Sequence, residues 1–231
     1  MDRLVESGTA ANQAYQYIKE RVISGDFSPG MRLTEEQLAR EIGASRTPIR
    51  EALRLLMSDG FLLFKPNVGT FVRSWTPDEI CEIFDLRIVL ESEITRLAGL
   101  NITDAYIDQL CAIQNQLESH GVANSFGQLG HINKLNREFH RVIAEASKNT
   151  RLVGMLTNSI EVPIVQQTFR RYTPDQLRRS FQHHRELIDA FIARDPDWAH
   201  DVMSCHIRAA KHVLLASQSS APATNAVERT R

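Results

Sequence analysis

The residues with the clearest chemical potential lie between Ser45 and Leu53, in the string S-R-T-P-I-R-E-A-L. Arg46 and Arg50 are four apart, so on a helix their guanidinium groups project one turn apart from one face. An arginine fork matches the O6 and N7 acceptors of guanine in the major groove of DNA. Ser45 and Thr47 add hydroxyls to the free N–H groups of a helix N-terminus, a setting that suits a phosphate. Downstream, Asn67 and Gly69 fall at a hairpin tip where the backbone can approach a neighbouring groove, with Lys65 and Arg73 on either side. Arginines on a plain solvated face have the same charge, so the decision rests on the elements around them.

A second group of candidates is spread along the chain. Of eight histidines, three stand in apolar surroundings. His140 lies near Phe139 and Ile143, with Asn136 four residues before it on the same helix face. His184 precedes Leu187 and Ile188, and His206 lies between Met203 and Val213. Polar groups on three inward-facing helices cost stability unless they share a partner. A divalent metal such as zinc is one such partner, because neutral imidazole is its commonest nitrogen ligand. Taken singly, each histidine also reads as a surface residue or a satisfied core residue. The spacing has none of the compactness of H-E-x-x-H, so both readings stay open on the residues alone.

The elements that must position these groups are legible as patterns. Residues 11–25 are helical by the recurrence of Ala14, Tyr17, Ile18 and Val22, and Gly25 ends the run. Thr34 with Gln37 reads as a capping box opening a second helix that carries Leu38 and Ile42 inward and stops at Gly43. Ser45 opens a third helix with Pro48 in its first turn, where the missing N–H costs little. Ile49, Ala52, Leu53 and Leu56 form its apolar face. F-L-L-F-K and T-F-V-R-S then predict two strands around P-N-V-G. Helix, helix, turn, helix and hairpin make a winged helix-turn-helix. From Thr76 onward the patterns are helical throughout, over about 77–100, 103–119, 126–147, 150–171, 174–194 and 197–216, with Pro163 kinking the fourth of these. The fold class is therefore mainly α: a DNA-binding domain over 1–75, an all-helical bundle over 76–217 and a flexible tail over 218–231.

Composition narrows the functions. Hydrophobic residues make up 42% and charged residues 24% of 231 residues, the profile of an ordinary soluble globular protein. No apolar run reaches membrane-spanning length and the N-terminus lacks a signal-peptide core, which predicts a cytoplasmic protein without a membrane partner. Three scattered cysteines, Cys81, Cys111 and Cys205, argue against a disulfide framework. Net charge is −1, and residues 1–75 are nearly balanced, so DNA binding depends on local placement. Between Arg40 and Arg54 four arginines face two glutamates, a basic stripe inside a balanced domain.

Residues 14 to 73 resemble the GntR family of bacterial regulators in the strings Y-Q-Y-I-K-E-R-V-I-S-G, P-G-M-R-L, E-Q-L-A-R-E-I-G-A-S-R-T-P-I-R-E-A-L-R-L-L and P-N-V-G-T-F-V. The resemblance implies DNA contacts from Arg46, Thr47 and Arg50, with Gly69 in the wing. Some relatives carry an arginine where this chain has Glu36. Residues 77–216 are similar to the all-helical FCD ligand domain of the fatty-acid-regulator subfamily. Its metal-binding members carry Asp-x-x-x-His on one helix, a His before Arg on a later helix and a His on the last. Matched by motif, the metal ligands implied here are Asn136, His140, His184 and His206, for zinc or nickel, with Asn136 where the family has Asp. An amide oxygen brings no negative charge, so the site with its ion keeps a charge of +2 and favours an anionic effector. Arg87, in F-D-L-R-I-V-L-E-S, matches a cavity-facing arginine of the family and is implied to hold a small organic acid bidentately; the alternative is an intrahelical pair with Glu91. The expected function is a ligand-responsive repressor that binds palindromic operator DNA as a homodimer and is not an enzyme. Two other readings are a metal-dependent hydrolase with an accessory DNA-like domain, and a helical domain that only dimerises.

Overall fold

The computed structural model describes residues 9–120, 126–159 and 162–219. Helix α1 (Ala10–Ser24) is capped by Thr9, whose hydroxyl accepts from Asn12 N, and ends at Gly25 with φ +76. Strand β1 (Arg32–Leu33) leads into α2 (Glu35–Ile42) and α3 (Arg46–Ser58), followed by β2 (Leu62–Lys65) and β3 (Gly69–Val72). The sheet is antiparallel in the order β1-β3-β2, with Phe71 opposite both Arg32 and Leu63. The hairpin expected from sequence is thus joined by a third strand. At two residues, β1 is too short to show the alternation by which strands are read. The capping box expected at Thr34 is half formed. Thr34 Oγ1 accepts from Gln37 N at 3.2 Å, but the Gln37 amide donates to Glu41 Oε1 at 3.0 Å instead of reaching back. Ala14, Ile18, Leu38, Ile49, Leu56 and Phe61 are fully buried and centre the core of this unit.

The helical region comprises α4 (Pro77–Asn101), α5 (Asp104–Ser119), α6 (Phe126–Ala146), α7 (Thr150–Ser159), α8 (Val162–Arg171), α9 (Pro174–Ile192) and α10 (Pro196–Ser219). Reciprocal capping boxes start α4 at Thr76 with Glu79 and α9 at Thr173 with Gln176, and Pro77 and Pro174 occupy the first turns. Such a box satisfies two orphan backbone donors at once. The single kinked helix expected over 150–171 is instead two helices, with Pro163 in the first turn of α8, where its missing N–H is no loss. A second core runs from Trp75 to Leu214, with Phe84, Phe139, Leu187 and Phe191 fully buried. Helix α4 is its axis: it packs on α10 and α6 and also meets α7. The break expected at Gly121 and most of the tail expected from 218 fall outside the described residues. Among the described residues no helix is long and apolar enough to cross a membrane.

Candidate DNA interface and effector cavity

The third helix begins where the chemistry begins. Ser45 is its N-cap, with extended backbone (φ −72, ψ 166) and no side-chain capping bond, so its hydroxyl is not spent on the helix. Ser45, Arg46, Thr47 and Arg50 are all exposed on one end of α3, opposite the buried Ile49, Ala52, Leu53 and Leu56. At the wing, Asn67 has φ +60, and Gly69 has φ +129 with room for a Cβ only 3.1 Å from Arg32 Nε. Both positions suit residues that tolerate the left-handed half of backbone space. Phe64 and Val68 are exposed beside this tip.

Two acidic residues accompany the arginines. Glu35 accepts from Arg50 Nε at 2.8 Å and from its Nη2 at 2.7 Å, a bidentate grip, and the Arg50 hydrogen bond holds the Glu35 carboxyl below its ordinary range. Glu36 lies 3.8 Å from Arg46, with both side chains about two-thirds exposed. Sequence reasoning registered Glu36 only as a departure from relatives and did not register Glu35 as Arg50's partner. Surface pairs of this kind are weak in water, so a guanine or phosphate can replace the carboxylate.

The three histidines singled out from sequence converge. His140 on α6, His184 on α9 and His206 on α10 have ring centroids 4.9–5.7 Å apart, and a ligand nitrogen from each lies within 4.8 Å of the others. Asn136 is buried one turn before His140. His184 stacks on Phe139 at 4.2 Å, and its Nδ1 lies 3.0 Å from Gln114 Oε1. The Gln114 amide nitrogen donates to Phe181 O at 3.3 Å and to Glu118 Oε1 at 2.9 Å. That fixes the amide oxygen toward the imidazole, makes Nδ1 the protonated nitrogen and leaves the His184 Nε2 lone pair for the cluster. His140 Nδ1 donates to Glu91 Oε2 at 3.0 Å, which directs its Nε2 in the same way. Burial pushes His184 and His206 well below the usual imidazole value, with the neighbouring histidines adding to the effect, so both are neutral at pH 7.

Asn136 Oδ1, His184 Nε2 and His206 Nδ1 are buried with no hydrogen-bond partner. Leaving such atoms unpaired costs about 1–3 kcal/mol each, and a converging histidine cluster with lone pairs lacking donors is the complement of a cation.

Beside the cluster lies a cavity of about 270 Å³ whose polar end is formed by Arg87, Glu91, Asn136 and His140. His184 and His206 are not on its wall; they complete the cluster around His140. Arg87 is buried and donates from Nε to Glu91 Oε1 at 2.7 Å, so the pair that competed with effector contact in the sequence reading is formed. Its other nitrogens have no protein acceptor among the described residues, and its guanidinium lies 4.8 Å over the Phe84 ring. Burial alone would raise the Glu91 carboxyl, but Arg87 and His140 overwhelm that effect and hold it at about 2. Held so low, with both oxygens already accepting hydrogen bonds, Glu91 is a weak base. Glu91 and Gln114 are the site residues that sequence reasoning missed as partners of the histidines. Of the residues considered secondary there, Arg137 lines the cavity and is exposed, His183 is half-buried with its ring 5.7 Å from His206, and His131 is exposed and stacks on His120.

Comparison with known proteins follows the same division. Residues 10–72 match the family model for bacterial regulatory proteins of the gntR family, and residues 82–209 match that for the FCD domain. The chain is 31% identical to the HTH-type transcriptional regulator YdhC of Bacillus subtilis over 208 residues, covering 87% of this chain and 91% of that one. It is 28% identical to the gluconate operon transcriptional repressor of Bacillus licheniformis over 172 residues, covering 74% and 68%. Among solved structures, McbR/YncC of E. coli superposes with a TM-score of 0.68 at 25% identity, covering 92% of this chain and 99% of that one. A reading helix with a winged sheet, a helical bundle with a cavity, and the matching of each to its own family model lead to one conclusion: the chain belongs to the gntR family of bacterial transcriptional regulators, in the branch that carries an FCD domain.

Proposed function

We propose that this regulator is a repressor that binds palindromic operator DNA as a homodimer and releases it when a small carboxylate enters the helical domain. Residues 1–75 form the DNA-binding unit and 76–217 the sensing unit. Arg46 and Arg50 read base edges, Ser45, Thr47 and the Gly69 backbone meet phosphates, and protein two-fold symmetry sets the half-site spacing. A divalent ion, zinc or nickel, is held by Asn136, His140, His184 and His206, and supplies a positive centre that attracts an anion. The acid group lies between that centre and the open donors of Arg87.

The observation that carries the sensing role is the set of three buried unpaired side-chain atoms, Asn136 Oδ1 on the cavity wall and His184 Nε2 and His206 Nδ1 in the cluster that His140 joins to that wall. A domain built only to dimerise has no reason to leave them unpaired. The hydrolase reading loses its support, because the family consists of regulators and the nearby carboxylate, Glu91, has both oxygens bonded. A homodimer is supported by helix α4, where Leu86, Val89 and Leu100 are 43%, 67% and 59% exposed along one stripe. Apolar residues flanking the Glu93–Arg96 pair on one face of a long helix can meet their own copies in an isologous contact. A site in the cytoplasm follows from the DNA partner.

The test is a mobility shift on promoter fragments from the regulator's own locus at low and moderate salt, with the mass of the shifted species measured. Two chains per duplex and loss of sequence preference in Arg46→Ala and Arg50→Ala are expected. Unchanged affinity in both variants refutes base reading by α3. Elemental analysis of the purified protein tests the ion: His184→Ala and His206→Ala retaining the same metal content as the parent chain would remove it from this site.

A further inference from the structure

The cavity has two unlike ends. One is the polar end already described. The rest of the wall is apolar: Ile94, Ile143, Val153, Leu156, Val165 and Met203, from α4, α6, α7, α8 and α10. The polar side chains along that stretch are spent elsewhere. Thr95 donates its hydroxyl to Glu91 O at 2.7 Å and Thr157 to Val153 O at 2.8 Å, each within its own helix. Arg141 is held by Glu138 and Glu145. Both Glu91 oxygens are bonded. The groups able to meet a polar ligand atom are therefore the open nitrogens of Arg87, beside Asn136 and His140, and the exposed Arg137, which follows Asn136 on α6.

We propose that the effector is a monocarboxylate of about six carbons, five of them an apolar body, the cavity's volume of about 270 Å³ being close to nine water-sized groups at ~30 Å³ each. Its acid group meets the nitrogens of Arg87 that Glu91 leaves open, beside Asn136 and His140, and its hydrocarbon lies against the six apolar side chains. This rests on the carboxylate-sensing reading above and specifies which acids qualify. A hydroxyl placed against the six apolar side chains leaves water without a partner, and Thr95 and Thr157 offer only acceptor lone pairs because their protons are committed, which disfavours sugar acids with several hydroxyls. A second carboxylate at the far end of a chain meets the same wall or must bend back to solvent, which disfavours dicarboxylates of equal length. Each buried methylene tightens binding about fourfold.

The experiment is calorimetric titration of the full-length, zinc-loaded protein with acetate, propionate, butyrate and hexanoate, and with three six-carbon comparators: adipate, gluconate and hexanol. Affinity is expected to rise about fourfold per added methylene and to fall at least tenfold from hexanoate to gluconate and adipate. Gluconate or adipate binding as tightly as hexanoate overturns the proposal and leaves carboxylate sensing intact. Hexanol binding as tightly as hexanoate keeps the apolar wall but overturns the acid end, and with it the reading on which this inference rests. No binding by any of the seven overturns both. Leu156→Gln, at a half-buried wall position, is expected to flatten the chain-length series without changing the affinity for acetate. Val153→Thr, nearly isosteric, does the same to a smaller extent and serves if the first variant does not fold. An unflattened series in a folded variant removes α7 from the hydrocarbon site.

Discussion

Replacing Glu91 by Gln tests the electrostatics of the cavity directly. The side chain is 5% exposed and accepts two bonds, from Arg87 Nε at 2.7 Å and from His140 Nδ1 at 3.0 Å. Glutamine keeps one oxygen, so it retains one of these bonds and turns an NH2 group toward the other donor. It also leaves the buried Arg87 charge without a counter-ion. Breaking a buried pair by removing one partner costs about 3–5 kcal/mol. For a chain of this size each kcal/mol lowers the melting temperature by about 2–4 °C, so the variant is expected to melt roughly 6–20 °C below the parent. The released guanidinium then has every donor available to a ligand anion, and a carboxylate restores the lost charge balance. Thermal shift measured with and without hexanoate should therefore show a larger ligand-induced gain in Glu91→Gln than in the parent. A fall of less than about 2 °C would mean that the pair contributes less than about 1 kcal/mol and that Arg87 is solvated. An unchanged ligand-induced gain would mean that Arg87 does not face the ligand.

Two further perturbations address the DNA-binding half. Glu35→Gln removes the carboxylate that grips Arg50, so binding to random duplex is expected to tighten and the slope of log affinity against log salt to steepen by about 0.9, the value of one added phosphate contact; if Glu35 instead only aims Arg50, the slope stays put and operator affinity falls. Gly25→Ala forces a Cβ into a left-handed backbone (φ +76) and to within 1.6 Å of Arg170 Nη1, costing about 1–2 kcal/mol for the backbone alone. Urea unfolding should show that cost, and Arg170→Ala in the same chain should recover any part in excess of it.

What could be read from the sequence was local. The turns at Gly25 and Gly43, Pro48 in its first turn and the alternation on either side of Asn67 each sit within a few residues of the structure they specify, and the winged helix-turn-helix follows from them. Strand β1 was illegible because Arg32 and Leu33 acquire strand character only by pairing with Phe71 and Thr70, a tertiary event. The histidines were singled out by their apolar surroundings, which is again local. Their orienting partners were not. Gln114 lies 70 residues from His184, and Glu91 meets His140 from another helix. Glu91 was visible only as the residue four after Arg87, and an i,i+4 pair on a surface helix is worth a few tenths of a kcal/mol. Burial of both residues changes its weight, and burial of that face of α4 depends on α6 and α10 arriving.

The arrangement also shows how an occupied cavity can reach the reading helix. Helix α8 contributes Val165 to the cavity wall and buries Ile164 and Phe169 in the helical core. The same ten-residue helix touches the DNA-binding unit at two glycines: Arg170 lies over Gly25 at the end of α1, and Pro163 lies within van der Waals reach of a Cβ at Gly60, just beyond α3. Both glycines have positive φ, at +76 and +78; a Cβ at Gly25 would collide with Arg170, while one at Gly60 would stand 3.9 Å from Pro163, in ordinary contact. A ligand changes DNA affinity only to the extent that it binds two arrangements of the protein unequally. A body that presses on Val165 meets that condition if α8 moves as one rigid element, since Pro163 and Arg170 of the same helix lie beside Gly60 and Gly25. Each tenfold preference of the ligand for one position of α8 is about 1.4 kcal/mol of bias on the placement of α1 and α3. By reciprocity operator DNA must alter ligand affinity by the same factor, so titrating hexanoate into the protein–operator complex and into the free protein has to give different affinities if α8 carries the signal.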